Sequence, residues 1–314
     1  MGVFKKRIAG MEINDCCIRV VELSGSNNND PVITCYGKKL LENGIVKDGK
    51  VANKDGFKKA LGELKKEIKL KSTELILGLN NDDVLIRFLK LPKIEKSKLG
   101  SFIRFQSADY IPFKIEDFEI DYTILGEQKT SEGEFYNVLL VAARKTMLND
   151  YLNVFESTRF LLRDIKSSVL SVDIFLPKEY ENKTCAIINF SCASCSILIL
   201  GKKVPVFARS IIVGTNEKEN IAEFVLAEIG SSILYAHSQN RSLLVEKILL
   251  IGSDAAKTGI KQDIENSLHI STEVLKPYRN LYEAKTTDIT QAELDAAKYA
   301  VALSLALHGF EGVK

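Results

Sequence analysis

The sequence predicts a two-domain α/β protein built from a duplicated unit, and three observations support this. Residues 8–23 contain two runs of branched apolar residues around a polar turn, which is the pattern of a β-hairpin. Residues 185–200 repeat that pattern about half a chain later. Strand-like and helix-like segments alternate after each hairpin, as in layered α/β folds. A pattern that recurs in this way indicates that one structural unit occurs twice.

The composition excludes several classes of protein. A chain of 314 residues is long enough for two domains, and 46 % hydrophobic with 27 % charged residues is ordinary for a globular protein. The net charge of +2 gives no reason to expect nucleic-acid binding. No apolar run reaches the roughly 18 residues of a membrane helix, and no signal-peptide pattern follows the basic N-terminus. Six cysteines in so large a chain fit a reducing compartment, so we expect a cytoplasmic protein without a membrane span.

Hydrophobic periodicity predicts the elements of the first half. In residues 54–71, Phe57, Leu61 and Leu64 recur at helical spacing, with lysines on the opposite face. A second helical pattern, over residues 95–109, stops before Pro112, which a helix interior does not tolerate. In chain order we predict strand 31–40, a loop over 42–50, helix 54–71, strands 73–79 and 84–91, helix 95–109, strands 118–125 and 135–143, and helix 147–160.

The second half repeats this alternation. Residues 220–238 carry Phe224, Val225 and Ile229 on one apolar stripe at helical spacing. Residues 245–252 form an apolar run of the length expected for a buried strand. After the second hairpin we predict a strand beginning near Pro205, helix 220–238, strand 245–252, helix 258–268, strand 271–275 and helix 290–309.

The two hairpins resemble the phosphate loops of the actin-like ATPase superfamily, which face each other across a nucleotide cleft. The superfamily pattern is an apolar strand, Asp-x-Gly, a small polar turn and a second apolar strand. Here Glu12 and Asn14 stand at the Asp and Gly positions of the first loop, and Asn189 and Ser191 at those of the second. Glycine lets backbone N–H groups approach a phosphate, and the carboxylates position Mg²⁺. These replacements leave open a reading as two structural hairpins without a nucleotide.

The resemblance also implies the positions of a degenerate nucleotide site. Relatives carry Gly-Gly beneath the adenosine, where this chain has Gly252-Ser253. They carry a basic residue at helical spacing after the acid that Glu228 matches, where this chain has Ser231. The implied nucleotide-binding positions are Glu12, Asn14, Asp15, Cys16, Asn189, Ser191, Glu228, Gly252 and Ser253. We expect no catalytic residue, and either no cofactor or weakly bound Mg·ATP.

The middle of the chain resembles the PilM family of type IV pilus assembly proteins more specifically. The residues that carry this resemblance are Tyr110-Ile111-Pro112-Phe113 followed by Asp121-Tyr122, together with residues 91–92, 105–109, 138–143, 205–214 and 297–309. The resemblance implies an actin-like two-domain fold with an inserted small subdomain, as in the cell-division relative FtsA. The implied boundaries are 1–83 with 144–183, the insertion 84–143, and 184–314, with the last helix returning toward the cleft.

The resemblance implies a structural adaptor recruited to the inner face of the cell membrane. Its expected partners are the cytoplasmic N-terminal tail of a PilN-like inner-membrane protein and other pilus platform proteins, and a homo-oligomer is a further expectation. The tail would lie in a groove between the first subdomain and the insertion, built from residues 77–113 and 121–143. The candidate partner-binding residues are Arg87, Leu89, Phe102, Phe105, Tyr110 and Phe113. Two alternatives stay open: an ATP-dependent switch or ATPase with diverged loops, and a type II secretion component.

Four cysteines in the two hairpin turns suggest a metal site as a further alternative. Cys16, Cys17, Cys192 and Cys195 would have to meet across the cleft to bind zinc. Adjacent cysteines in an extended segment point to opposite faces, which opposes tetrahedral coordination. We therefore expect no metal and interpret these residues as small buried side chains.

Overall fold

The computed structural model describes residues 6–25, 31–191, 194–212, 221–241, 243–255, 257, 259–277 and 296–311. The strands in these ranges are β1 Lys6–Ile13, β2 Cys17–Gly25, β3 Val32–Leu40, β4 Val46–Lys47, β5 Lys50–Val51, β6 Glu74–Leu79, β7 Val84–Pro92, β8 Phe118–Thr130, β9 Gly133–Arg144, β10 Leu161–Ser167, β11 Thr184–Ser191, β12 Ser194–Gly201, β13 Val204–Ile212, β14 Lys247–Ile251 and β15 Thr272–Val274. The helices are α1 Lys54–Glu67, α2 Lys96–Gln106, α3 Lys145–Glu156, α4 Ile221–Gln239, α5 Ile260–Leu268 and α6 Ala300–Glu311. None of these helices has the length and apolar content that a membrane crossing requires.

Two five-stranded sheets of the same topology form the body of the protein. The first has the strand order β10-β6-β1-β2-β3 and the second β13-β12-β11-β14-β15. In each sheet the first hairpin strand pairs antiparallel with the next strand and parallel with a later one. The duplicated unit predicted from the two hairpin patterns is therefore present as two equivalent sheets.

A third sheet, which we call the inserted sheet, has the antiparallel order β7-β9-β8. One of its faces packs on α2 through a buried cluster that includes Leu89, Leu99, Ile103 and Leu140. Its strands and α2 lie between the two strands β6 and β10 of the first sheet in chain order. The domain boundaries at residues 83, 143 and 183 remain predictions.

The last helix lies on the face of the first sheet. The backbone of α6 comes so close to β1 that a Cβ at Gly10 would lie 2.0 Å from the Ala302 carbonyl oxygen. Both sheets and α6 contribute to one buried cluster, which includes Ile8, Ile187 and Leu303. The helix thus joins the two halves, and residues 290–295 of the predicted final helix lie outside the described residues.

The structure corrects several element predictions. The expected loop over residues 42–50 contains the short antiparallel pair β4 and β5. Strand β10 was not predicted, because apolar and polar residues do not alternate cleanly in its sequence. In the structure its residues are partly exposed on both faces. The predicted helix over residues 95–109 ends at Gln106 and continues as a 3-10 turn over Ser107–Asp109.

Gly10→Ala should lower the free energy of unfolding by about 3 kcal/mol, because the added Cβ must push α6 away from β1. The matched control is Gly62→Ala in α1, where a Cβ meets nothing within 4 Å. Alanine should stabilise that exposed helical position by up to about 1 kcal/mol. Urea unfolding of both variants measures the two effects, and equal stability of the Gly10→Ala variant and wild type would contradict the packing described.

Candidate functional site

The first hairpin turn satisfies its own backbone donors. The Asn14 side-chain oxygen accepts hydrogen bonds from the N–H groups of Cys16 and Cys17, at 3.0 and 2.9 Å. The Asp15 carboxylate accepts from the N–H groups of Asp48 and Gly49, at 2.9 and 2.8 Å. A phosphate loop needs such turn N–H groups directed at the ligand. Here the N–H groups of Cys16 and Cys17 are directed at the Asn14 oxygen instead.

The carboxylate at the first Asp position is neutralised by an arginine. Arg19 Nη1 lies 3.2 Å from Glu12 Oε2, and both side chains are buried. The two residues are direct partners across the β1–β2 hairpin. A buried ion pair is costly to break because it leaves an unpaired charge in a medium of low dielectric constant. Glu12 is therefore held by Arg19 rather than presented to a cation.

The second hairpin packs against the loop after β14. Gly252 has φ +104°, and a Cβ there would lie 2.3 Å from the Phe190 carbonyl oxygen. The Asn189 side-chain oxygen accepts a hydrogen bond of 3.3 Å from Ser191. Ser253 Oγ is buried and has no hydrogen-bond partner among the described residues. Asn189, Ser191 and Gly252 are thus close together, and their part in a nucleotide site remains a prediction.

Glu228, the acid that the resemblance places in the nucleoside pocket, forms an ion pair within the second half of the chain. Glu228 on α4 lies 2.9 Å from Arg209 on β13. The cation that pairs with Glu228 therefore lies on β13 and not on α4. A hydrogen bond between Ser210 and Asn80 links β13 to the loop after β6. That the two hairpin turns face one cleft remains a prediction.

No cluster of three or more metal-ligating side chains occurs within the described ranges. Burial raises the pKa of the Cys195 thiol to about 12, so this group stays protonated at neutral pH. Cys192, which the zinc alternative requires, lies outside the described residues.

A groove of about 330 Å³ lies between the inserted sheet and the first sheet. We call it the β8–β10 groove, because Glu119, Ile120 and Asp121 of β8 and residues 164–167 of β10 line it. Val141 on β9 and Leu148 on α3 also contribute to its lining. β8 and β10 are edge strands in the described parts of their sheets, so the groove has a strand edge on each side.

An ionic cluster ties the inserted sheet to the first half beside this groove. Asp83 lies 2.6 Å from Lys50 and 2.8 Å from Arg144. Burial alone would raise the pKa of the Asp83 carboxyl, but hydrogen bonds from Lys50 and Arg144 outweigh it and hold that pKa below its usual value. The Arg144 guanidinium also lies over the rings of Phe113 and Phe118. The cluster fixes the junction at which β7 begins and β9 ends.

The predicted partner-binding residues fall in different places, and none of the six lines the β8–β10 groove. Arg87 and Leu89 line a second groove beside β7, where Leu89 is largely buried. Phe102 packs on the α2 core. Phe105 is 80 % exposed, and Tyr110 and Phe113 are also exposed near α2.

Sequence reasoning missed the β10 side of the groove and Leu148. The predicted surface, residues 77–113 and 121–143, includes Val84, Asp121 and Val141 but omits residues 164–167. A short strand of mixed polarity gives no signal for its place at a sheet edge, because that place depends on pairing with β6. Asp83 and Arg144 carried no signal either, since they are 61 residues apart in the chain.

Comparison with known proteins agrees with this architecture. The chain is 21 % identical to a chain of a PilM-PilN type IV pilus biogenesis complex, with a TM-score of 0.84 over 97 % of this chain and 98 % of that one. A Bacteroides thetaiotaomicron protein with an actin-like ATPase fold and unknown function is 10 % identical, with a TM-score of 0.50 over 93 % and 95 % of the two chains. The cytoplasmic domain of EpsL, an inner-membrane component of the Vibrio cholerae type II secretion system, is 10 % identical, with a TM-score of 0.52 over 93 % and 94 %.

These matches show an actin-like fold, and the inserted sheet is the added subdomain expected from the sequence. A family model described as type IV pilus assembly protein PilM matches residues 10–225 and 219–310. This match extends over both sheets, the inserted sheet and α6. The chain therefore belongs to the PilM family of type IV pilus assembly proteins.

Proposed function

We propose that this protein is a cytoplasmic adaptor of the type IV pilus assembly platform that binds the N-terminal tail of a PilN-like inner-membrane protein. The observation that carries the proposal is the β8–β10 groove, in a chain whose fold matches that of a PilM-PilN complex. Binding of such a tail would recruit the protein to the inner face of the membrane.

The backbone around the groove suits an extended peptide. β8 and β10 each have one side that is not paired with another described strand. An added peptide strand hydrogen-bonds to such an edge, and pockets for alternate side chains give specificity. A tail that is unstructured in solution can adopt this conformation on binding.

The side chains of the groove favour an apolar segment with a basic residue. Val141, Leu148 and Ile165 supply half-buried apolar surface. Three carboxylates line the groove, those of Glu119, Asp121 and Asp164, against one lysine, Lys166. Glu119 and Asp164 have ion pairs with Lys145 and Lys166, at 3.6 and 3.1 Å, whereas no ion pair involves Asp121 among the described residues. Asp121 is thus the carboxylate best placed to receive a cation of the tail.

Val141→Glu should weaken binding of a PilN-like tail peptide at least tenfold, because it places a charge on the apolar floor of the groove. The matched control is Val204→Glu, the same change at a half-exposed valine of β13 outside this groove. Calorimetric titration measures both affinities, and thermal unfolding checks that each variant is folded. Equal affinity of wild type and Val141→Glu would exclude the β8–β10 groove as the site.

We propose further that the hairpin loops no longer form a tight Mg·ATP site. Asn14 already accepts from the N–H groups of Cys16 and Cys17, and Arg19 neutralises Glu12. A nucleotide would have to displace these internal contacts. The neutral hydrogen bonds of Asn14 contribute about 1 kcal/mol each, and the bond between the charged Arg19 and Glu12 side chains about 1.5–3 kcal/mol. This argues for a structural adaptor over an ATP-driven switch.

Addition of 1 mM Mg·ATP should therefore leave the melting temperature unchanged within about 1 °C, because a ligand at or below its dissociation constant stabilises by at most about 0.4 kcal/mol. Differential scanning calorimetry with and without the nucleotide measures this. An increase of several degrees would mean that Asn14 and Arg19 move aside for the nucleotide, and it would favour the switch.

A further inference from the structure

A second and larger groove, of about 770 Å³, lies between the inserted sheet and β13 of the second sheet. We call it the β7–β13 groove. Five consecutive residues of β7, 86–90, and six of β13, 204–209, line it. Consecutive strand residues point to opposite faces, so such runs place the edge of each strand along the groove. Leu125 and Gln128 of β8 and Asn137 and Val138 of β9 line it too, so the groove continues from the β7 edge over the adjoining face of the inserted sheet. In the described part of the chain, β7 and β13 are the terminal strands of their sheets on these sides.

The unpaired edges of β7 and β13 favour binding of an extended peptide. Some Cα atoms of β7 lie within 8 Å of Cα atoms of β13. This is less than the roughly 9.6 Å that two successive strand spacings would require. A peptide can therefore add to one edge but cannot pair with both at their point of approach. An exposed edge that is neither short nor blocked by a proline in its middle is open to such addition.

The charges of the groove select an acidic occupant and favour the β7 edge. Three cations line the groove, Arg87, Lys90 and Arg209, and no carboxylate is among the described residues that line it. Arg209 is neutralised by Glu228. Arg87 donates hydrogen bonds to the carbonyl oxygens of Ile86 and Tyr110. The Lys90 ammonium group lies over the Phe135 ring. Neither cation has a carboxylate partner among the described residues. The uncompensated positive charge therefore lies on β7.

The spacing of the two cations sets the spacing of the acids. Arg87 and Lys90 are three positions apart, so they project from opposite faces of β7. In a sheet, each residue of an added strand lies beside a residue of β7 whose side chain projects from the same face. Carboxylates three positions apart in the peptide would therefore each meet one cation. Apolar residues of the peptide would contact the half-exposed Val204 and Tyr235, whose ring lies 5.9 Å from that of Phe207.

We infer that the β7–β13 groove binds an extended acidic segment of a second protein, which adds to the edge of β7 with two carboxylates three residues apart. This site shares no lining residue with the β8–β10 groove. The protein would then hold two different peptides on one small sheet.

The probe is a labelled nine-residue peptide of threonine and valine with two glutamates three positions apart. Fluorescence anisotropy should show binding that weakens with salt, as expected for exposed charge pairs. Lys90→Glu should weaken it at least tenfold, whereas Lys59→Glu, at an exposed position on α1, should have no effect. Peptides with lysines in place of the glutamates, or with glutamates two positions apart, should bind at least tenfold more weakly.

Hydrogen exchange locates the peptide independently of the variants. Bound peptide should protect backbone amides of residues 84–92, and a saturating PilN-like tail should not displace it. Equal binding of the acidic and lysine peptides, equal loss in the Lys59→Glu variant, or protection confined to β8 and β10 would each overturn the proposal. Self-association that Lys90→Glu abolishes, seen by sedimentation without peptide, would show that a second copy of this chain occupies the groove instead.

Discussion

The contact between α6 and β1 determines how the two halves of the protein fit together. A helix can lie this close to a strand only where the strand has no side chain, and Gly10 and Gly78 provide that surface on two neighbouring strands. Because α6 also contributes to the core that both large sheets share, its position sets their relative placement. The β7–β13 groove depends on this placement, because residues of both halves line it.

The polar groups of the first hairpin turn have partners within the chain. Asn14 accepts hydrogen bonds from two backbone N–H groups of the first turn, and Arg19 neutralises Glu12. A buried polar group must have a partner in the absence of a ligand, and here the partners are built into the chain. These groups therefore need no nucleotide to satisfy their hydrogen bonds and charge.

The inserted sheet offers two edges with opposite charge. On β8, Glu119 and Asp121 line one groove, whereas on β7, Arg87 and Lys90 line the other. Asp83 and Arg144 anchor the sheet to the body between these edges. A rigid sheet with two unlike edges can discriminate between two extended segments by charge, since like charges oppose the wrong partner.

The sequence by itself determined the duplicated hairpins, the strand–helix alternation and the family, because these depend on local periodicity and on short motifs such as Tyr110-Ile111-Pro112-Phe113. Tertiary structure decided which edges stay unpaired and therefore where grooves form. The strand β10 illustrates this, since its seven residues look unremarkable until pairing with β6 places them opposite β8. The sequence also did not reveal which charged residues form ion pairs. Glu12 pairs with Arg19 across a hairpin, and Glu228 on α4 pairs with Arg209 on β13, because packing and not distance in the chain brings opposite charges together.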